Sequence, residues 1–449
     1  MAGVEAKFLT GNLFRHVAVM SLTSSVGLMV LFLVDFINII FISWLKDPDL
    51  TAAVGYAGAI LFFTTSFGIG MSIAASALVA RAVGMRDLAQ ARTRATNAVI
   101  WGLVFGALFA AAVWVNLPLL VGLLGASGRT LDQAVSYLRI VVPTLPLLMV
   151  GMIGGAILRS HGDGRRAMMA TIYGGLVNAA LDPLLIFAAG WDLTGAAIAT
   201  VIARFVIAGT ALLPVVCHHG GFDRPSTASL MQDARPIAVI ALPAILTQLA
   251  TPVGQAYVTR AVAGFGADAV AGMAIIGRMT PVAFGVIFAL SGAIGPIIGQ
   301  NYGAGDMARV RQAFREGLKF CALFSLAMAV LLFALRGPIA DLFHATGVTR
   351  AIIYLFCGPL SLLFFFNGVI FVANAAFNNL RRPLHSTWTN WGRHTLGTIP
   401  FALLGGQWFG GTGVLIGQAT GGVLFGILAW VLAERMLGGL VTVVNPDGQ

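Results

Sequence analysis

Hydrophobic positions along the chain form a succession of long apolar runs, broken by short charged or Gly/Pro-rich segments. Each run reaches the roughly 20 residues a helix needs to cross the hydrocarbon core of a bilayer. The breaks predict six helices near 17–45, 52–83, 98–124, 138–158, 168–189 and 195–217. Six more are predicted near 237–262, 271–298, 318–335, 352–377, 387–404 and 414–432. The expected fold class is an all-α polytopic membrane protein with twelve transmembrane helices. The longest polar stretch, His218 to Pro236, divides it into an N-terminal six-helix lobe over 1–217, a cytoplasmic connector over 218–236 and a C-terminal six-helix lobe over 237–449.

Composition agrees with lipid as the solvent, since 58% of the 449 residues are hydrophobic and only 10% are charged. The first apolar run, Val17 to Leu45, is too long for the core of a cleavable signal peptide and reads as a spanning helix. The net charge of +10 is spread one loop at a time rather than gathered on one face, which argues against a nucleic-acid partner. When loops are assigned alternately, nineteen Lys and Arg fall on one side, Arg393 among them, and five on the other. By the positive-inside rule this puts both termini in the cytoplasm, and the expected location is the cell's inner, or plasma, membrane. Arg204, Arg260 and Arg278 fall inside predicted helices and are assigned to neither side. Cys217, Cys321 and Cys357 are too widely spaced for a CxxC site or a disulfide framework and read as small core residues.

The halves repeat at an offset of about 220 residues. Gly84-Met85-Arg86-Asp87 after the second helix matches Gly303-Ala304-Gly305-Asp306 after the eighth, and Tyr137-Leu138 matches Tyr354-Leu355.

Of seventeen acidic residues only Asp35 and Asp182 lie inside apolar runs. A charge there costs at least ~2.5–3.5 kcal/mol, so intramembrane carboxylates mark ion or proton pathways. Asn178 precedes Asp182 by four residues on the same helix face, and Pro183 follows it, removing a backbone donor. Asp35 and Asn38 share a face of the first helix, and Thr200 opens the sixth. These five residues are the expected cation or proton coupling set, and Asp35, Asn178, Asp182 and Thr200 count from the helix ends as lying toward the external half of the membrane. Carboxylate, amide and hydroxyl oxygens suit a hard cation as well as a proton relay, so sodium at Asp182 and Asn178 is open beside the proton, and no other metal site is expected. The second half supplies amides instead. Gln255 stands opposite Asp35 at the repeat offset, with Gln248, Asn367, Asn374 and Gln418 as further intramembrane amides. Amides also serve as interhelical hydrogen-bond glue. No GxxxxGK[ST], HExxH or Ser/His/Asp pattern with a supporting context occurs, so neither an enzyme nor direct ATP hydrolysis is expected.

Three segments resemble one family. Asn178-Ala179-Ala180-Leu181-Asp182-Pro183 looks like an N-x-x-x-D-P motif, Gly195-Ala196-Ala197-Ile198-Ala199-Thr200 like G-x-A-x-A-T, and Arg159-Ser160-His161-Gly162-Asp163 like R-x-x-G-D. Together they resemble the multidrug and toxic compound extrusion (MATE) transporters over essentially the full length. The resemblance implies two six-helix lobes around a central cavity of alternating access, and export driven by inward proton or sodium flow. It implies further that Asn178, Asp182 and Thr200 belong to the first lobe's cation site and that Tyr137 lines its cavity. In this alignment Asn38 stands where the family's first-helix Asp usually stands, and Thr23 where a Pro is frequent, with Pro243 at the matching repeat position. An acidic residue of the seventh helix found in one branch is missing, so the resemblance is to the DinF-like branch. The expected function is a secondary active exporter of small amphiphilic organic compounds, cationic or aromatic, acting as a monomer without a cofactor. Tyr137, Gln248, Gln255, Asn367 and Asn374 form the expected substrate surface. The alternative is a flippase for a lipid-linked saccharide, which calls for more basic residues in the cavity.

Overall fold

A computed structural model describes residues 6–444; the side chains of Asp35, Ile39, Ser43 and residues 440–444 lie outside the described set. Among the described residues every regular element is helical, as a chain in lipid requires, because each backbone donor and acceptor must find its partner without water. The first six spans are α1 (Leu13–Trp44), α2 (Pro48–Gly84), α3 (Leu88–Val115) with the short α4 (Leu117–Leu123), α5 (Gly128–Val141) joined by a 3₁₀ turn to α6 (Leu145–Ser160), α7 (Gly164–Pro183) continuing as a π-helical turn over Leu184–Ala188, and α8 (Asp192–His218). There follow α9 (Thr227–Ala263), α10 (Ala267–Gly303), α11 (Met307–Leu342), α12 (Gly347–Leu355) running through a π turn at Phe356–Leu360 into α13 (Ser361–Asn379), α14 (Leu384–His394) and α15 (Ile399–Val444).

The last apolar stretch, Leu384–Gly439, has 56 residues. A straight helix of that length would measure ~84 Å, far more than a bilayer's ~30 Å, and the chain folds back. Gly410 adopts φ +62, the left-handed region open to glycine. Beyond it, a Cβ placed on Gly413, Gly417 or Gly421 would stand 1.8–2.2 Å from the backbone of Gly405, Phe401 and Gly397 respectively. These pairs nest symmetrically about Phe409, so the two arms of α15, with Gly397 just ahead of the first, are an antiparallel hairpin in which three glycines, four apart, let backbones touch. With this bend dividing the last of eleven apolar stretches, the spans among the described residues number twelve, as hydropathy predicts.

The duplication is visible in local geometry. Asp87 caps α3 by accepting from Gln90 N at 2.9 Å, and Asp306 caps α11 by accepting from Arg309 N at 2.8 Å. Just before each cap the chain turns through a left-handed residue, Arg86 at φ 58 in one half and Gly305 at φ 78 in the other.

Two compact units result: residues 1–7 with 26–245, and residues 8–25 with 246–449. The changeovers inside α1 and α9 lie 220 residues apart, the repeat offset. The polar stretch 218–236 belongs to the first unit, and α9 already begins within it at Thr227. Its polar groups are satisfied by α3: Asp233 accepts from Asn97 at 2.8 Å and pairs with Arg94 at 2.7 Å, while Trp101 Nε1 donates to Leu230 O at 3.0 Å. In the second unit the chain's start is pinned, with Phe8 N donating to Gln300 Oε1 at 3.0 Å and Arg309 donating to Phe8 O at 3.1 Å. Leu108, Leu123, Leu213, Trp388 and Trp408 stay largely exposed, as side chains facing lipid do.

Candidate functional site

In the first unit α1 and α7 run side by side in the same direction. A Cβ on Gly27 would meet Thr171 and Met168, and one on Gly175 would lie 2.8 Å from Val30 and 3.3 Å from Val34. The contacting face of α1 therefore carries Val30, Val34 and Asn38, four residues apart. The contacting face of α7 carries Gly175, Asn178 and Asp182. One turn beyond the Val34–Gly175 contact, this register brings Asn38 level with Asn178 and Asp182. Asp182 is fully buried and Asn178 9% exposed. The Oδ1 atoms of Asn38 and Asn178 and both carboxylate oxygens of Asp182 are buried without a hydrogen-bond partner. Buried acceptors are costly to leave unmade. Four of them at one level of one helix pair make an oxygen-only cradle suited to a proton or a hard cation.

Local sequence builds this cradle. Pro183 has no N–H, and directly after it the helix loosens into the π turn, closed by Ala189 N donating to Leu184 O at 2.8 Å. α8 returns against that turn so closely that a Cβ on Gly195 would lie 2.6 Å from the Leu185 carbonyl. The same helix pair meets again at Gly174 and Ile207, so Thr200 sits at the level of Asn178 and Asp182, its hydroxyl donating to Ala196 O at 3.0 Å. Asp35 lies in α1, its side chain outside the described residues. Tyr137 is 7% exposed and faces Arg204 electrostatically. Arg204 is buried and donates to Val141 O at 2.8 Å and Thr144 Oγ1 at 2.9 Å, bracing the joint between α5 and α6. Arg260 and Arg278 are exposed.

The turn over residues 161–163, just beyond the span Gly128–Ser160, forms a loop-end cluster. Asp163 accepts from the Arg166 backbone at 3.2 Å, from the Arg166 guanidinium at 2.6 Å and from His219 Nε2 at 3.1 Å. The rings of His161 and His219 lie 4.7 Å apart, and Lys7 Nζ donates to Gly162 O at 3.2 Å. Burial alone would raise the Asp163 carboxyl, but the bonds from His219 and Arg166 outweigh it and hold the group well below the usual carboxylate range. Burial lowers His161 to about 4, against a bond to Ile157 O.

In the second unit the predicted amides fall into two groups. Gln255 is exposed and accepts from Gln418 Nε2 at 3.2 Å, while Gln248 is half-buried in α9. Asn367 and Asn374 enter a buried network with residues that spacing did not single out. Asn390 Nδ2 donates to Asn374 Oδ1 at 3.1 Å, Arg393 Nη1 donates to Asn367 Oδ1, and Arg393 Nη2 donates to His394 Nε2 at 2.6 Å. Arg393 is 7% exposed, so its place in the loop-side charge count is corrected: it lies inside the second unit. The chain breaks immediately after it, as α14 ends at His394 and α15 begins at Ile399. Thr398 Oγ1 closes the break by donating to Arg393 O at 2.8 Å. The available signal was the polar triplet Asn390, Arg393 and His394 at helical spacing within the eleventh predicted helix.

The MatE family model matches residues 24–184 and again 243–404, once per repeat. The chain is 29% identical over 441 residues to the FAD transporter of Shewanella oneidensis, covering 95% of this chain and 96% of that one. It is 24% identical over 334 residues to the multidrug export protein MepA of Staphylococcus haemolyticus, 73% of each chain. An outward-facing multidrug resistance MATE family transporter of the MOP superfamily superposes with a TM-score of 0.90 at 22% identity, over 98% of this chain and 99% of that one.

Proposed function

We propose, from the premise that this chain belongs to the MatE family of membrane transporters, that it exports small organic compounds by alternating access, driven by the inward flow of protons or sodium. The observation that carries the proposal is the set of unpartnered oxygens on Asn38, Asn178 and Asp182, level with one another on α1 and α7. A carboxylate held away from water and from any cationic side chain exchanges a proton or accepts a hard cation readily. A cation arriving there satisfies acceptors that the fold leaves open. Asn38 supplies an amide where the family resemblance expects an acid, so Asp182 carries the exchangeable charge, with Asp35 a turn below on α1 and Thr200 beside it on α8. Tyr137, Gln248, Gln255, Asn367 and Asn374 are proposed to meet the substrate. The same reading puts a monomer in the cell's plasma membrane with both termini in the cytoplasm.

Reconstituted protein tests it. Asp182→Asn is expected to abolish gradient-driven efflux under both imposed proton and imposed sodium gradients, and undiminished efflux would sink the assignment. Asp35→Asn is expected to be severely impaired, and near-normal efflux would remove Asp35 from the coupling set. Of the arginines on which the flippase alternative turns, Arg204 is engaged with the Val141 carbonyl and Thr144, and Arg260 and Arg278 are exposed on α9 and α10. The relative named for FAD transport favours instead a phosphorylated organic substrate.

A further inference from the structure

In the second unit Arg393 is a buried cation surrounded by neutral partners. Its guanidinium donates to the Asn367 amide oxygen and to His394 Nε2, and no carboxylate pairs with it among the described residues. The described acidic side chains of this unit are placed elsewhere. Glu434 holds Arg311 and Arg315, Glu316 holds Lys319, Asp341 holds Arg350, Asp306 caps α11, and Asp268 is exposed at the start of α10. A guanidinium kept from both water and counter-charge is expensive in a membrane interior and is retained where something supplies the missing charge.

His394 fixes the guanidinium's orientation. Because Arg393 can only donate, His394 Nε2 must accept, which places the ring proton on Nδ1. That Nδ1 is buried with no hydrogen-bond partner, packed against Gly254, where a Cβ would stand 2.1 Å away. The guanidinium's missing counter-charge is met by an anion and by no cation, while Nδ1, on the ring edge away from Arg393, is closed off by Gly254. The site sits at the break between α14 and α15, the kind of discontinuous helix at which transporters hold substrates. Asn367 is half-buried, and Gln255, next in the chain to the Gly254 that packs on His394, is exposed and paired with Gln418.

We propose that Arg393, held in place by His394 and Asn367, receives the anionic group, phosphate or carboxylate, of an amphiphilic organic substrate. The inference rests on the export reading above and deepens it, turning the expected substrate class from organic cations to organic anions. A planar guanidinium binds phosphate and carboxylate with two parallel hydrogen bonds, a geometry that Lys cannot reproduce.

The test is equilibrium binding to the purified full-length protein, with no gradient imposed. Fluorescence anisotropy compares flavin mononucleotide with riboflavin, which lacks only the phosphate, and anthracene-9-carboxylate with 9-anthracenemethanol. Wild type is expected to prefer at least one charged probe over its neutral partner by roughly tenfold or more, the worth of a charge-assisted pair of hydrogen bonds. Preference for the flavin phosphate alone identifies a phosphate site, and preference for both identifies a general anion site. Arg393→Gln should reduce the preference, read as the ratio of the charged to the neutral probe's affinity, to within about twofold, and Arg393→Lys should weaken it at least threefold. Equal affinities in wild type, or a preference that survives in Arg393→Gln, overturn the proposal. If Arg393→Gln does not fold, an undiminished preference in Arg393→Lys overturns it as well. Failure of the parent reading looks different: anion preference without gradient-driven transport of any compound would refute export and leave this site standing. Export of organic cations with no anion preference would do the reverse.

Discussion

Gly421 and Gly422 are neighbours in the second arm of the α15 hairpin, yet alanine should act on them in opposite directions. A Cβ on Gly421 would fall 1.8 Å from the Gly397 carbonyl oxygen and 2.3 Å from its carbon, whereas one on Gly422 meets nothing within 4 Å. Real Cβ contacts stop near 3 Å, so Gly421→Ala requires the two arms to separate by roughly an ångström, and the obstacle is backbone rather than a side chain that can rotate away. Overpacking of this kind costs about 1–3 kcal/mol, and the rigid partner argues for the upper end. For a unit of some 200 residues, ~3 kcal/mol lowers the melting temperature by about 6–12 °C. Gly422→Ala gains helix propensity with no clash and should raise stability by up to ~1 kcal/mol. Thermal unfolding of both variants in one detergent, followed by size-exclusion fluorescence, measures the difference. Because Gly397 lies four residues from Arg393, Gly421→Ala should also weaken the preference for flavin mononucleotide over riboflavin. If the two variants melt within a degree or two of each other, the close-packed hairpin is refuted.

Other positions give independent expectations. Asp182→Asn should raise thermal stability by roughly 1–2 kcal/mol while it abolishes coupled transport, because it removes a buried carboxylate whose insertion is costly; a destabilised variant would mean that Asp182 is already satisfied. Arg204→Leu should cost about 1–3 kcal/mol in stability, since Val141 O and Thr144 Oγ1 lose a charged donor at the α5–α6 joint; unchanged melting would remove the brace. At the loop end, His161 is held neutral in the folded state to about pH 4 while the unfolded chain takes up a proton near 6.5. Stability should therefore fall as pH drops from ~6.5 toward ~4, by up to about 3 kcal/mol, and the slope should flatten in His161→Asn. Asp163 acts in a separate window: its depressed carboxyl contributes stability present above the unfolded pKa near 3.9 and lost as pH falls further. Melting curves from pH 7 to 3 separate the two, and a pH-independent difference between wild type and His161→Asn would refute the histidine's part.

The twelve spans and the duplication were legible in the chain because they rest on local chemistry. A bilayer demands ~20 apolar residues per crossing, and a short turn needs its Asp cap and left-handed residue wherever it recurs. Asp182, Asn178 and Pro183 stood out for the same reason, since ionisable and helix-breaking residues are rare in apolar runs. Packing decided the rest. That Asn38 stands level with Asn178 and Asp182 follows from glycines bringing α1 onto α7, a register that spacing within one helix does not contain. Arg393 shows the limit most clearly. Arg393 falls within the eleventh predicted helix yet reads as a loop charge in the alternating count, and only the break after His394, with Asn367 approaching from α13, shows it as a buried cation. Hydropathy records what each residue prefers as its solvent; which helix supplies that surrounding is set by contacts between segments far apart in the chain.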